Sequence, residues 1–383
     1  MAAHAYLSAS SAKRWMSCPP SAKLEQGFPN KTSPYAEEGT LAHSLSELKL
    51  RKAIGELSEQ DYTTEFNKVA PKVDTEMQNA TTLYVDLVLE RFNDAKSRSQ
   101  SAVMLIERRL DFSKYVPKGF GTGDIIIISD GSIEVIDLKY GKGVPVYAEE
   151  NPQMRLYALG AYEQFDVIYD LNKVTYMIIQ PRLDSVSAES ISTAELVDWA
   201  NNEVVPRAKL AWDGLGEYHS GEHCRFCRAA AVCRARADAA LAAIKYEFSK
   251  PPILEEEEIP TILPLLDDLI SWAKDLKAYA YEKALGGTTW QGYKLVAGRS
   301  NRAYTDEKAV AEMLMANGIK EEEIYDRSLL SLTTLESKLG KAFFREATEG
   351  LITKPAGKPT LVPEHDRRET FSSAKQDFSS LED

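Results

Sequence analysis

The chain has 383 residues and a formal net charge of −12, with 44% hydrophobic and 27% charged residues. This composition is typical of a globular protein with a large core, and it excludes a protein that coats nucleic acid with a uniformly basic surface. No apolar run approaches the roughly 20 residues that a membrane helix needs, and the N-terminal segment has no hydrophobic signal core. We therefore expect a cytoplasmic protein that neither spans nor binds a membrane.

The first hundred residues predict helices. A serine-capped short helix ends just after Cys18, where two consecutive prolines stop it. A second helix begins near Thr40 and carries leucines at helical spacing, with His43 one residue off that leucine stripe. A long helical pattern then runs from about residue 65 to residue 96. These helices precede a group of strands, so we expect them to cover the sheet that those strands form.

Three successive strands follow, at residues 102–112, 122–129 and 133–140. An Asp-Gly pair between the second and third strands predicts a hairpin turn. The next segment predicts a helix that carries Gln153 and Tyr157, which are four residues apart and hence on one face. A fourth strand (KVTYMIIQP) and a further helix (TAELVDWANNEVVPRAKLAW) lead into a cysteine cluster. This order predicts an α/β fold with a mixed central sheet flanked by helices.

The character of the sequence changes beyond residue 250. An acidic run opens a helix-rich region over 251–353, in which residues 289–304 predict a short hairpin. From Lys354 the sequence is polar and contains several prolines, so we predict a flexible tail over 354–383. The chain thus divides into a first domain over 1–250, a helical C-terminal extension and a tail.

The second and third strands bring two aspartates and a lysine to one place. Asp124 precedes four isoleucines, and a carboxylate at the mouth of so buried a strand is expected to be paired or metal-bound. Asp137 and Lys139 are two residues apart on the next strand, so their side chains project from the same face. Mg²⁺ or Mn²⁺ held by carboxylates can activate a water and relieve the charge on a phosphodiester. The pattern therefore indicates a nuclease.

Four further residues extend this constellation. Glu107, on the preceding strand, adds a third carboxylate, although the two arginines that follow it could instead make it an ordinary surface ion pair. His43 adds an imidazole from the helix in front of the sheet, and the alternative is a solvated helix histidine. Gln153 and Tyr157 fit either a place near the carboxylates or simple helix packing. The spacing by itself leaves these alternatives open.

The four cysteines predict one site built from two distant segments. Cys18 stands alone near the N-terminus, whereas Cys224, Cys227 and Cys233 form a C-x2-C-x5-C cluster. Four thiolates suit an iron–sulfur cluster or a tetrahedral zinc, and spacing does not decide between them. Shared ligation would join the N-terminal helix to the segment after the core and close a very long loop.

The order of these residues resembles the PD-(D/E)XK nuclease superfamily, and more narrowly its branch with the RecB and AddB nuclease domains. The resemblance implies metal ligation by His43, Asp124 and Asp137, catalysis by Lys139, and a place beside the active site for Gln153 and Tyr157. In that branch one cysteine precedes the nuclease core and three follow it, binding a [4Fe–4S] cluster. Nearly the whole chain also resembles an uncharacterised family encoded by bacteriophages and prophages.

We therefore expect a restriction-endonuclease-like α/β fold over 1–250, with a four-cysteine clasp and a helical extension. The expected function is that of a metal-dependent DNA nuclease, an exonuclease in phage recombination, replication or end processing, in the cytoplasm of the bacterial host. DNA and a single-strand-binding or other recombination protein are the expected partners. The alternative is a non-catalytic DNA-end-binding or scaffold protein. An ATP-dependent subunit is disfavoured because the sequence contains no phosphate-binding loop.

Overall fold

The computed structural model describes residues 5–30, 34–242, 259–296, 306–325, 335, 339–348 and 351–352. The chain divides into two compact units, residues 1–298 and residues 299–383. The first unit holds a five-stranded mixed sheet, with strands β1 Val103–Asp111, β2 Phe120–Ser129, β3 Ser132–Leu138, β4 Lys173–Gln180 and β5 Ser185–Ser192 in that spatial order. The mixed central sheet predicted from the sequence is thus confirmed.

Helices flank the sheet of the first unit, and the described part of the second unit is also helical. In the first unit they are α1 Ala12–Ser17, α2 Ser21–Leu24, α3 Pro34–Ala53, α4 Glu59–Val69, α5 Thr75–Arg98, α6 Pro152–Tyr169, α7 Thr193–Trp199, α8 Val205–Asp213, α9 Arg234–Ala242 and α10 Ile259–Leu285. The second unit contains α11 Glu307–Ala316, α12 Glu321–Ile324 and α13 Lys341–Ala347. None of the helices in the described part of the chain combines the length and apolarity needed to span a bilayer.

The connections of the sheet follow from local signals. β1, β2 and β3 are antiparallel neighbours, and Asp130-Gly131 forms the tight turn between β2 and β3, with Gly131 at φ +74°. β3 and β4 are parallel because α6 carries the chain back across the sheet between them. β4 and β5 are again antiparallel. The carboxyl ends of β3 and β4 therefore lie at one end of the sheet, beside the start of α6.

Two apolar layers enclose the sheet. One lies between the sheet and α3 with α5, and it includes Leu45, Tyr84, Ile125 and Ile127. The other lies between the sheet and a set of helices that includes α1, α6 and α8. The four isoleucines of β2 alternate between these layers, so each of them is buried. This burial on both faces confirms the expectation drawn from the uninterrupted apolar run.

Several predicted elements differ from the observed ones. α3 begins at Pro34, a turn and a half before the predicted start, and the long helical pattern divides into α4 and α5 around Asp74, whose side chain caps α5. β5 was missed because its sequence, SVSAESIS, is mostly polar, as suits a strand at the edge of a sheet. No strand occurs in the described residues 288–296, so the predicted hairpin is wrong there. The predicted boundary at 250 and the tail at 354–383 lie outside the described residues.

A candidate metal site at one end of the sheet

A kink shared by β1 and β2 places two carboxylates on the same side of the sheet. Glu107 lies opposite Asp124, between the paired positions Ile106–Ile125 and Arg108–Gly123, and its φ is +51°. Ile106 packs against the layer beneath α3, whereas Leu110, an even number of residues later, lies in the layer beneath α6. The normal alternation of the strand is therefore reversed at Glu107. Such backbone conformations are rare for residues with a side chain and cluster at functional sites.

The kinked hairpin meets α3 in a group of three metal-ligating side chains. The ligand atoms of His43, Glu107 and Asp124 all lie within 4.8 Å of one another. Nδ1 of His43 is 3.2 Å from Oδ1 of Asp124, while Oδ2 of Asp124 accepts a hydrogen bond of 2.8 Å from the backbone amide of Leu138. Three separate elements, α3, β1 and β2, thus contribute one ligand each. Glu107 turns toward this group, and in the described part of the chain it forms no ion pair with the neighbouring arginines.

A second polar group joins β3 to α6. Lys139 lies with Nζ 2.8 Å from Oδ2 of Asp137 and donates a 3.1 Å hydrogen bond to Oε1 of Gln153. Nε2 of Gln153 lies 3.2 Å from Oδ1 of Asp137 and 3.3 Å from the hydroxyl oxygen of Tyr157. The four side chains predicted from the sequence therefore form one connected group. Asp137 is only 3% exposed, which makes it more deeply buried than a residue at the rim of a sheet.

The ionisation of these groups reflects burial and crowded carboxylates. Burial, followed by the negative charge of Asp124, raises the pKa of Glu107 to about 7. Burial alone would lower the pKa of His43, but the charge of Asp124 and the contact with it outweigh that effect and raise the pKa to about 9. Burial also raises the pKa of Asp137, although Lys139 opposes this. Burial would lower the pKa of Lys139, and the Asp137 carboxylate more than compensates.

The residues present fit a divalent cation. An imidazole and two carboxylates in mutual reach are ligands typical of Mg²⁺, Mn²⁺ or a related ion. Oδ2 of Asp137 is buried and lies 2.8 Å from Nζ of Lys139, so the two groups form an ion pair beside the three ligand side chains. A bound cation would also relieve the repulsion that raises the pKa of Glu107. His43, Glu107, Asp124 and Asp137 are therefore the residues that could hold a metal ion.

The cysteine-bearing segments are brought together, but through charged groups. The buried carboxylate of Glu25 lies 2.8 Å from a guanidinium nitrogen of Arg14 and accepts a hydrogen bond of 2.7 Å from the backbone amide of Arg228. Arg14 also donates to the carbonyl oxygen of Phe226. This network joins the N-terminal helices to the segment that carries Cys224 and Cys227. The described contacts at this junction are thus made by charged and backbone groups, and they do not support the four-cysteine clasp predicted from the sequence.

The sulfur atoms themselves do not form a compact ligand set. Cys18 and Cys224 are buried, and Cys227 and Cys233 are partly buried. Among the described residues, which include all four cysteines, no three sulfurs lie within 4.8 Å of one another. On one tetrahedral zinc the sulfurs would be about 3.8 Å apart, as follows from a Zn–S distance of about 2.3 Å. The arrangement therefore does not fit a single zinc ion.

Other residues around the site were not anticipated. Gln180 is 1% exposed and holds the loop after Lys139: its Nε2 donates to the carbonyl oxygens of Gly141 and Val144, and its Oε1 accepts from the amide of Val146. The hydroxyl-bearing residues Ser46 and Tyr84 line the pocket that contains His43, Glu107 and Asp124. Tyr84 follows Ala80 and precedes Val88 at helical spacing, so the sequence signal was that of core packing.

Comparison with known proteins places the chain in a family. The family model described as "Protein of unknown function (DUF2800)" matches residues 4–369. Among solved structures, one described as "Crystal structure of SSO0001" matches 50% of this chain and 95% of its own, with 16% sequence identity and a TM-score of 0.21. A TM-score of that size does not establish a common fold. Because the family model spans nearly the whole sequence, the chain belongs to the DUF2800 family.

Proposed function

We propose that this protein is a metal-dependent DNA nuclease of the PD-(D/E)XK type, with its active site at the kinked end of the sheet. The observation that carries the proposal is the convergence of His43, Glu107 and Asp124, whose ligand atoms lie within 4.8 Å of one another. These residues come from three elements, and His43 and Asp124 are 81 positions apart in the chain. Such convergence of ionisable groups with perturbed pKa values favours a functional site.

The adjacent group on β3 and α6 supports the same proposal. The charges of Asp124 and Asp137 both raise the pKa of His43, so the two polar groups lie close together. A metal ion at this place would supply Lewis-acid chemistry toward a phosphodiester. Lys139, held by Asp137 and Gln153, places a positive charge beside the carboxylates, where it can stabilise charge that develops on a phosphate. Gln153 contacts both Lys139 and Asp137 and can orient them, while Tyr157 contacts Gln153.

The substrate and the setting belong to the proposal as well. DNA follows from the resemblance to the RecB and AddB branch, as does exonuclease activity in phage recombination, replication or end processing. A single-strand-binding or other recombination protein is the proposed partner, and the cytoplasm of the bacterial host is the proposed location. A non-catalytic DNA-end-binding role would keep the same fold without turnover. It is therefore one of the outcomes that the activity measurement separates.

For the four cysteines we propose a [4Fe–4S] cluster, because its thiolates bind four different irons and need not crowd around one ion. The contacts between the N-terminal helices and the segment of Cys224 and Cys227 support this, since they bring both parts of the ligand set to one region. Burial raises the pKa of Cys227 to about 12, so binding at that sulfur requires proton loss that a metal would drive. No step of the proposed hydrolysis passes through these cysteines.

The test compares aspartate-to-asparagine variants on labelled DNA with Mg²⁺ or Mn²⁺. Asp124→Asn and Asp137→Asn remove one ligand charge each, and we expect a loss of cleavage of at least about a hundredfold. Asp130→Asn is the matched control, because Asp130 lies in the turn at the opposite end of the same two strands and an Asn-Gly turn is equally favourable. Cleavage in the wild type and the control but not in the site variants would support the proposal. Cleavage that persists in both site variants, or DNA binding without any cleavage, would contradict it.

A further inference from the structure

The pocket that contains the candidate metal ligands also has two hydroxyl groups in its wall. Ser46 and Tyr84 line it together with His43, Glu107 and Asp124. Ser46 lies on α3 one turn after His43, and Tyr84 lies on α5, so both helices beneath the sheet contribute. The two residues are 3% and 1% exposed, respectively. Neither of them can reach bulk water with its side chain.

Both hydroxyls lack a hydrogen-bond partner. Oγ of Ser46 and the phenolic oxygen of Tyr84 are buried without a partner in the described part of the chain. An unpaired buried hydroxyl costs on the order of 1–3 kcal/mol, and buried polar groups in proteins nearly always have a partner. Two such groups in the wall of one pocket, beside three ligand side chains, therefore indicate that something polar binds between them.

The surroundings of the Tyr84 hydroxyl indicate what kind of group binds. Burial raises the pKa of Tyr84 well above its usual value, and the negative charges of Asp124, Asp137 and Glu107 raise it further. A tyrosine hydroxyl is a hydrogen-bond donor at neutral pH, and this one belongs to the wall of the pocket that Glu107 and Asp124 also line. The space in the pocket that is open to the centre of a water molecule is about 10 Å³, which is room for about one water. A serine hydroxyl can donate or accept, so the two groups together suit a water molecule.

We infer that Tyr84 and Ser46 are positioning residues of the metal site, which hydrogen-bond an ordered water that connects them to the carboxylates of Asp124 and Glu107. The inference rests on the proposed metal-dependent function. It assigns to α5 a role beyond packing, because the helix supplies a donor that acts on the ligands through water. Outer partners of this kind orient metal ligands, and their loss typically weakens metal binding by about tenfold or more.

The test uses Tyr84→Phe and Ser46→Ala in the full chain, with Mn²⁺ as the probe. Binding is measured by the electron paramagnetic resonance signal of free Mn²⁺, and the melting temperature is measured in EDTA. We expect roughly tenfold weaker Mn²⁺ binding for Tyr84→Phe. Its melting temperature in EDTA should equal or exceed that of the wild type, because the removed hydroxyl makes no direct hydrogen bond to another described group of the protein. Ser46→Ala should weaken binding in the same direction and equally spare the metal-free protein.

Tyr140→Phe is the matched control. The hydroxyl of Tyr140 is also buried without a partner in the described part, but the charges that act on it are those of Arg182, Asp74, Glu38 and Glu76. We expect wild-type Mn²⁺ affinity in this variant. If Tyr84→Phe lowers the melting temperature in EDTA and binds Mn²⁺ as the wild type does, the hydroxyl has only a structural role. This inference is then overturned, while the proposed function is unaffected. If the wild type itself binds no Mn²⁺, the proposed function is overturned and this inference with it.

Discussion

Replacing Glu107 by glutamine tests the charge balance of the site without altering its shape. Glutamine keeps the size of the side chain and meets the same backbone strain at φ +51° that the glutamate meets. Burial and the nearby Asp124 raise the pKa of Glu107 from 4.5 to about 7. The ionised carboxylate therefore lowers the stability of the metal-free protein at neutral and alkaline pH. Its removal should make that protein more stable.

The magnitude follows from the difference in pKa. One pKa unit corresponds to about 1.4 kcal/mol, and part of the side chain is reached by water, so the expected cost of the charge is about 2–3 kcal/mol above pH 7. The folded pKa is the higher one, so the folded protein binds the proton more tightly than the unfolded chain does. The cost is therefore absent below pH 4.5, grows as the pH rises to about 7, and is constant above that.

Urea denaturation in EDTA at pH 5 and pH 8 measures this effect. Glu107→Gln should raise the free energy of unfolding by about 2–3 kcal/mol at pH 8 and by much less at pH 5. Glu90→Gln, at an exposed position of α5, is the control and should change stability by no more than about 0.5 kcal/mol at either pH. A Glu107→Gln variant that is less stable than the wild type at pH 8, or equally stabilised at both values, would refute the charge argument.

Three further predictions concern other parts of the molecule. The pKa of His43 is raised from 6.5 to about 9, so the stability advantage of the wild type over His43→Gln should be full below pH 6.5 and disappear as the pH rises through 9, as followed by thermal melting in EDTA. Gly160→Ala should lower stability by about 1–3 kcal/mol despite the better helix propensity of alanine, because the new methyl group would lie 2.9 Å from Cβ of Leu110 and 3.2 Å from its carbonyl carbon; an unchanged urea midpoint would contradict this. Cys18→Ala and Cys227→Ala should lose iron and visible absorption equally after anaerobic purification, and full iron content in either would exclude that cysteine as a ligand.

Much of this structure could be predicted from local patterns in the sequence. The apolar run of Ile125 to Ile128 identified a doubly buried strand, and the two-residue spacing of Asp137 and Lys139 identified their common face. The four-residue spacing of Gln153 and Tyr157 likewise predicted that they share a helix face, where the structure has them in contact. These features depend only on the periods of strands and helices, which act over a few residues and so can be read from sequence.

Features that depend on contact between distant segments were not predictable. The left-handed conformation of Glu107 turns its side chain toward Asp124, and no local sequence pattern predicts such a backbone conformation within a strand. Tyr84 carries the spacing of a core residue, and only the packing of α5 on the sheet places its hydroxyl near the carboxylates. Likewise, the pattern of four cysteines predicted that two distant segments are neighbours, but the position of each sulfur is decided by the packing around it.

The sequence by itself therefore determined which strands and helices form and which side chains share a face, since neighbouring residues decide these. The tertiary structure alone decided which groups lack partners and which charges crowd together, because burial and electrostatic repulsion depend on every element that packs around a site.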